Sequence, residues 1–205
     1  MCSVKVYIRK SIRFLKKAKH QVANIFLNQE VLIKVNLSPI EAIEEYSGIR
    51  KGNIKANFYS DCTMIPDPSE LNEDEKNLLI LDDCFLGPQS KAEAYYTRGR
   101  HNNCDTFYIS QNYFRLPRQT IRENANFIIL LPQDTKKLMH IHADHCHDEM
   151  SLQEFKVFCR KVWNEGHQNF VTIDLTSSKL NGKYRKNLDC FYLPGIDSDY
   201  TSIRN

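Results

Sequence analysis

The sequence predicts an α/β protein with a mostly parallel sheet and flanking helices. Three observations carry that reading. The runs Leu78-Leu79-Ile80-Leu81 and Phe127-Ile128-Ile129-Leu130-Leu131 have strand length and no polar side, as strands covered on both faces do. Stretches of helical period lie between such runs, the alternation that builds parallel sheets. The strand ends are polar, with Asp82-Asp83 after one and Ser110-Gln111 after another. In open parallel sheets the chemistry collects at the carboxyl ends of strands.

The elements follow in order. Val4, Val6 and Ile8 alternate with Lys5, Tyr7 and Arg9, a short strand. Ile12, Leu15, Ala18, Val22, Ile25 and Phe26 fall at three- and four-residue steps, a helix with Arg13, Lys16, Lys17 and Lys19 on its other face. Ser38 and Pro39, with Glu41 three residues after Ser38, open a second capped helix that Gly48 or Gly52 closes. Pro66-Asp67-Pro68 begins a surface loop. After the strand at 77–81, residues 90–100 read as a helix and 106–109 as a buried strand. Residues 117–124 form a short helix, 127–131 a strand closed by Pro132, and 134–144 a helix. Ser151 caps a helix through Trp163, with Phe155, Phe158, Val162 and Trp163 on one side. Residues 170–175 are a further strand. The domain is expected to span 1–176, with 177–205 a polar tail that turns at Asn181-Gly182.

Composition excludes several classes. At 205 residues, 41% hydrophobic and 26% charged, the chain suits one folded domain and not a disordered one. No run approaches the roughly 18 apolar residues of a membrane span, and the first ten residues lack a signal-peptide core. The seven cysteines are odd in number and form no C-x-x-C pair, which points to thiols in a reducing compartment, cytosol or nucleus. Residues 1–60 carry eleven Lys and Arg against four Glu, whereas 61–75 carry six acids and no base. The basic start suits either a polyanion partner or a solvated helix face.

An apolar strand ending in two acids is the Walker B pattern. The first acid holds Mg²⁺ and the second activates the attacking water, because phosphoryl transfer relies on positioning and charge neutralisation. The alternative is an Asp that caps the following segment. A Gln at the adjacent strand end, Gln111, can sense the γ-phosphate or hold the water. Arg98-Gly99-Arg100-His101 lies between the two strands and reads either as a surface turn or as a phosphate or DNA contact. Arg115, Arg118 and Arg122 follow Gln111 and add positive charge. His140, His142, His145 and His147 suggest a metal, yet the two-residue step from His140 to His142 points them apart on a helix, and surface histidines explain them better.

Taken together, Leu78 to Asp83, Tyr95 to Asp105, Tyr108 to Arg118 and Thr120 to Phe127 resemble the genome-packaging ATPases of large DNA viruses. Relatives of these occur in virophages, adintoviruses and the virus-like Maverick/Polinton transposons, and they are similar to the FtsK–HerA branch of P-loop NTPases. The likeness runs from about Val4 to about Leu193. It implies ATP-driven movement of double-stranded DNA into a capsid by a homo-oligomeric ring, with no membrane role. It places the protein inside the cell, in nucleus or cytoplasm, with the virion as a further site. It implies Mg²⁺ held through water by Asp82, catalysis by Asp83, sensing by Gln111, and an arginine finger acting on the neighbouring subunit, for which Arg98, Arg100 and Arg122 are the candidates. Arg115 and Arg118 are the implied DNA or phosphate contacts.

One feature of that family is missing. The phosphate loop is G-x-x-x-x-G-K-[ST], and of the seven glycines only Gly182 precedes a Lys, followed there by Tyr184. The resemblance puts the loop's strand in the sheet interior, beside the sensor strand. Val4–Ile8 reads here as the second strand, so the chain is expected to lack the first strand–loop–helix unit of the ASCE-type fold. ATP and Mg²⁺ would then be held weakly by this chain alone, and the protein would be a partial or inactive ATPase: a truncated or decayed copy, one whose upstream exon is lost, or a half-protein completed by a partner such as an intact ATPase subunit. The rivals are a non-catalytic module that binds DNA or an ATPase ring, and a metal-dependent nuclease using Asp82 and Asp83.

Overall fold

The computed structural model describes residues 4–8, 30–34, 56–59, 61–75, 77–82, 84, 87–195 and 201–202. The helices expected at 12–26 and 38–48 lie outside these. The chain divides into two compact units.

The first unit, which takes in Val4–Val6 of the first strand, is built on five strands. These are β1 (Val4–Ile8), β2 (Glu30–Lys34), β3 (Ala56–Phe58), β4 (Asn77–Asp82) and β5 (Cys104–Ser110). Their order is β1-β5-β4-β2-β3, with β2 parallel to both β3 and β4, and β4 parallel to β5. In β4 Leu78, Leu79 and Leu81 are buried, and every residue of β5 is buried. Strands this dry belong in a sheet interior, and burial of each such leucine is worth ~1.5–3 kcal/mol. Helix α1 (Ser90–Arg98) turns Ala92, Tyr95 and Tyr96 inward. A 3-10 turn over Gly99–Asn102 leads to Asn103, whose φ of 49° is left-handed, a conformation Asn tolerates. The carbonyl of Asn103 accepts from the Asn77 amide at 3.0 Å and aligns the amino ends of β4 and β5.

Three readings change in this unit. Val31-Leu32-Ile33 forms β2, a strand the hydrophobic pattern hides because Glu30 and Lys34 shorten the run to three residues. Val4–Ile8, expected as the second strand, lies beside β5 on the side opposite β4. The segment at 117–124 is a single wide turn over Arg118–Arg122, with the Arg122 and Glu123 amides donating to Pro117 and Arg118 five residues back.

The second unit is antiparallel. Its strands are β6 (Phe127–Leu130), β7 (Val171–Asp174), β8 (Tyr184–Lys186), β9 (Cys190–Tyr192) and β10 (Thr201–Ser202), in that order. Each pairs antiparallel with the next. A mostly parallel sheet therefore does not describe the fold, which has one parallel and one antiparallel set. Apolarity on both faces reports burial, and burial is shared by both pairing types. Helix α2 (Thr135–His145) starts at Asp134, whose carboxylate accepts from the Lys137 amide at 2.9 Å. Helix α3 (Leu152–Asn164) starts at Ser151, whose Oγ accepts from the Glu154 amide at 3.1 Å. Phe155, Phe158, Cys159 and Val162 form the buried stripe of α3. Trp163 donates its indole N–H to the Leu130 carbonyl at 3.1 Å.

The segment 177–205, expected as a polar tail, supplies β8, β9 and β10. Several of its polar residues are bonded within the unit. Tyr184 is fully buried and donates to Glu149 at 2.6 Å, and Lys183 reaches the same carboxylate at 2.8 Å. Burial alone would raise the Glu149 carboxyl, but the hydrogen bonds from Lys183 and Tyr184 outweigh it and hold the group below the usual range. Gly182 has φ +82°, and a Cβ there would lie 2.7 Å from the Phe191 ring, so any side chain would be strained and would have to displace that ring. None of the six described cysteines is in a disulfide.

Candidate functional site

Parallel pairing sets the site's geometry. Asp82 ends β4 in register with Ile109, so Ser110 is the next residue on β5 and Gln111 follows it. Asp82 is half-buried, Ser110 is buried and Gln111 is exposed. Asp83 lies outside the described residues.

The loop after β4 is braced from β5. Tyr108, opposite Leu81, donates its hydroxyl to the Gln89 side-chain carbonyl at 2.9 Å. The Gln89 amide donates to the Cys84 carbonyl at 2.6 Å and the Gly87 carbonyl at 2.9 Å. Cys84 in turn donates its thiol to the Asp82 carbonyl at 3.6 Å. Gln89 therefore ties Cys84 and Gly87 to Tyr108 of β5. Sequence reading missed it, because its partner is 19 residues away and nothing local marks the pair.

Within the second unit, the turn after Gln111 is pinned by Tyr113. This buried phenol donates to Asp144 at 2.9 Å and lies 2.5 Å from Nε2 of His145. His142 places its Nε2 2.8 Å from the Met150 carbonyl, and His140 packs against the Phe114 ring with centroids 4.6 Å apart. The histidines suggested by sequence as a metal set are thus engaged with protein groups. Among the described residues, no group of three or more His, Cys, Asp or Glu converges as metal ligands.

The arginines separate by environment. Arg98 is exposed and pairs with Asp67 at 3.3 Å, and Arg100 is exposed. Both precede Cys104 and so lie toward the amino end of β5. Asp82 ends the neighbouring strand at the carboxyl end, about 17 Å away at ~3.3 Å per residue. Arg122 is buried and donates from Nε to the Leu116 carbonyl at 3.1 Å. Arg118 pairs with Glu123 at 3.2 Å, and Arg115 is exposed. No helix among the described residues is long and apolar enough to cross a membrane.

The fold is similar to that of solved viral genome-packaging ATPases. The DNA-packaging ATPase B204 from Sulfolobus turreted icosahedral virus matches 85% of this chain over 93% of its own, with a TM-score of 0.55 and 14% sequence identity. The genome packaging NTPase B204 from Sulfolobus turreted icosahedral virus 2 matches the same share over 92% of its chain. Its complex with ATP-gammaS gives a TM-score of 0.52 at 14% identity, and its complex with AMPPCP 0.53 at 13%. No protein-family model and no curated protein matches the sequence.

Proposed function

We propose that this chain is a packaging-motor ATPase homologue with an intact carboxylate half and a degenerate phosphate half. The observation that carries the reading is the register placing Asp82 beside Ile109, one residue short of Ser110-Gln111, in a sheet where β1 also borders β5. Asp82 suits Mg²⁺ held through water, since that ion keeps much of its hydration and takes one or two carboxylates. Asp83 is the carboxylate for the attacking water and Gln111 the sensor. The structure of the B204 NTPase with ATP-gammaS supports a nucleotide as ligand.

The place of β1 changes how the phosphate site reads. The resemblance assigns the interior position beside the sensor strand to the phosphate-loop strand, and β1 occupies the position beside β5. Arg9-Lys10-Ser11 directly follows β1. It keeps the lysine and hydroxyl of G-x-x-x-x-G-K-[ST] and has no glycine. Without glycines the backbone N–H groups cannot close on phosphate, so this chain alone binds ATP weakly and does not turn it over. Its role is then that of a ring subunit or DNA-holding subunit inside the cell. Arg98 and Arg100 suit action on a neighbour, since they lie a strand length from their own Asp82. Arg122, buried within its own unit, suits it least. Double-stranded DNA would be held without sequence preference by Arg100 and Arg115, joined by Arg98 and Arg118. The nuclease reading has no support from further acidic or histidine ligands among the described residues.

The test uses the full chain, the Asp82→Asn/Asp83→Asn double variant, and a graft replacing Arg9 by a G-x-x-x-x-G segment that joins directly to Lys10-Ser11. Phosphate release from the unmodified chain should not exceed that of the double variant. The graft should bind ATP in a Mg²⁺-dependent manner that Asp82→Asn abolishes. Turnover in the unmodified chain that the double variant loses would overturn the degenerate phosphate site. A folded graft that ignores ATP would overturn the assignment of β1.

A further inference from the structure

We infer that Tyr113 is the positioning residue for Gln111, its phenol fastening the segment after β5 to the last turn of α2 through Asp144 and His145. This deepens the reading above, in which Gln111 senses the γ-phosphate, and rests on it.

A sensor tells one phosphate from another only if its side chain is held near its working geometry, since a misplacement of ~1 Å can cost about a hundredfold in rate. Gln111 is exposed, and so are Phe114 and Arg115. Within Gln111–Arg115 Tyr113 alone is buried, at 1% exposure. This segment belongs to the second unit, as α2 does. Directly before Gln111 is Ser110, buried at the end of β5. Directly after it, Asn112 closes a turn. The Asn112 side-chain oxygen accepts from the Phe114 amide at 3.2 Å, and its carbonyl accepts from the Arg115 amide at 3.3 Å. Gln111 thus has a strand end on one side and a closed turn on the other, so whatever fixes that turn fixes Gln111.

The phenol of Tyr113 fixes it. The hydroxyl donates to Oδ2 of Asp144 at 2.9 Å and lies 2.5 Å from Nε2 of His145. A phenol has a single proton to give. With that proton on the bond to Asp144, the oxygen accepts from His145, and Nε2 of His145 carries the hydrogen. The two rings meet edge to face, with centroids 6.0 Å apart. Asp144 and His145 are the last two residues of α2, and that turn is itself held. The Cys146 amide donates to the His142 carbonyl at 2.9 Å, Nε2 of His142 is 2.8 Å from the Met150 carbonyl, and Leu138 and Ile141 seat the helix in the core. A group placed from a rigid element and braced by a further layer of hydrogen bonds has what precise positioning requires.

Tyr184 supplies the contrast. It is also a buried tyrosine of the second unit, and its phenol donates to Glu149 at 2.6 Å. It lies in β8, away in sequence from the sensor segment. A phenol that only stabilises the unit behaves as Tyr184 does, whereas a positioning phenol also acts on the choice of nucleotide.

The full chain is titrated with Mg·ATP and with Mg·ADP up to millimolar concentrations, each Kd is read from amide shifts in NMR spectra, and stability is read by urea titration. The unmodified chain should prefer ATP to ADP about tenfold, the order expected of a hydrogen bond to a charged phosphate. Gln111→Ala should abolish that preference and leave ADP affinity unchanged. Tyr113→Phe should do the same, and the double variant should lose nothing further, because the two residues act as one. Tyr184→Phe should lower stability and keep the preference. His145→Gln, whose amide can donate where Nε2 does, should keep it, and His145→Leu should lose it. His145→Leu also carries the decision where Tyr113→Phe does not fold. If Tyr113→Phe and His145→Leu keep a preference that Gln111→Ala loses, Tyr113 is structural only and the sensor reading stands. If Tyr184→Phe loses the preference equally, loosening of the unit explains the effect and the positioning role falls. If the unmodified chain shows no preference, or Gln111→Ala keeps it, the sensor reading fails and takes this inference with it.

Discussion

Asp82 and Asp174 occupy the same place in the sequence pattern, the first acid after a buried strand, yet their surroundings differ. Asp174 ends β7 at 3% exposure and accepts from the Thr176 amide at 3.0 Å, the Thr176 hydroxyl at 2.6 Å and the Ser177 hydroxyl at 3.0 Å. It also pairs with Arg185, itself largely buried and lying over the Phe191 ring. Asp82 ends β4 half-buried, on a loop braced by Gln89. Of the two readings offered for a strand-ending acid, the structural one describes Asp174, and the reactive one is the role proposed for Asp82. What separates them is burial and position: Asp174 is buried and bonded within its own unit, whereas Asp82 is half-buried and lies in register with Ile109 near the end of β5.

The contrast is open to measurement, the largest effect first. Asp174→Ala leaves Arg185 without its buried partner and should lower unfolding free energy by about 3 kcal/mol or more in urea titration. Equal losses for Asp174→Ala and Asp82→Asn would erase the distinction. Gln89→Ala removes the brace on the loop after Asp82 and should cost about 1–2 kcal/mol. Tyr108→Phe, which removes one of its three bonds, should cost less. A reversed order would mean that Tyr108 and not Gln89 carries the loop.

A pH effect comes next. The Glu149 carboxyl is held below its ordinary 4.5, so the folded state favours its charged form. The contribution is therefore present above pH 4.5 and is lost as pH falls through the lowered value. Glu149→Gln should flatten the acid limb of stability against pH, and an unchanged limb would remove Glu149 from the account. Asp82→Asn should have the smallest effect, within about 0.5 kcal/mol of the unmodified chain by the same titration.

What the sequence revealed depended on distance along the chain. Strands β4 and β5 and the cap at Ser151 were legible, because an apolar run or a cap is complete within a few residues. The placement of Asp82 beside Ile109 was legible as strand ends, given a parallel sheet. Antiparallel pairing of β6 with β7 was not, since both pairings bury both faces alike. Strand β8 was hidden because its polar residues are satisfied from far away, Tyr184 and Lys183 by Glu149 at separations of 35 and 34 residues. Gln89 and Tyr113 escaped for the same reason, and Tyr113 meets Asp144 31 residues on. The basic residues of 115–122 looked alike in sequence, and only burial separated Arg122 from Arg115.

The chain has one tryptophan, Trp163, and its indole is hydrogen-bonded to β6 inside the second unit. Emission from that ring is therefore a local gauge, blind to the parallel strands that carry Asp82. Circular dichroism sums over both units. If the two signals lose amplitude at one denaturant concentration, the chain melts as a single cooperative body. If the fluorescence change lags or leads, the antiparallel unit has its own stability, and the edge that carries Asp82 can loosen while the rest of the protein stays folded.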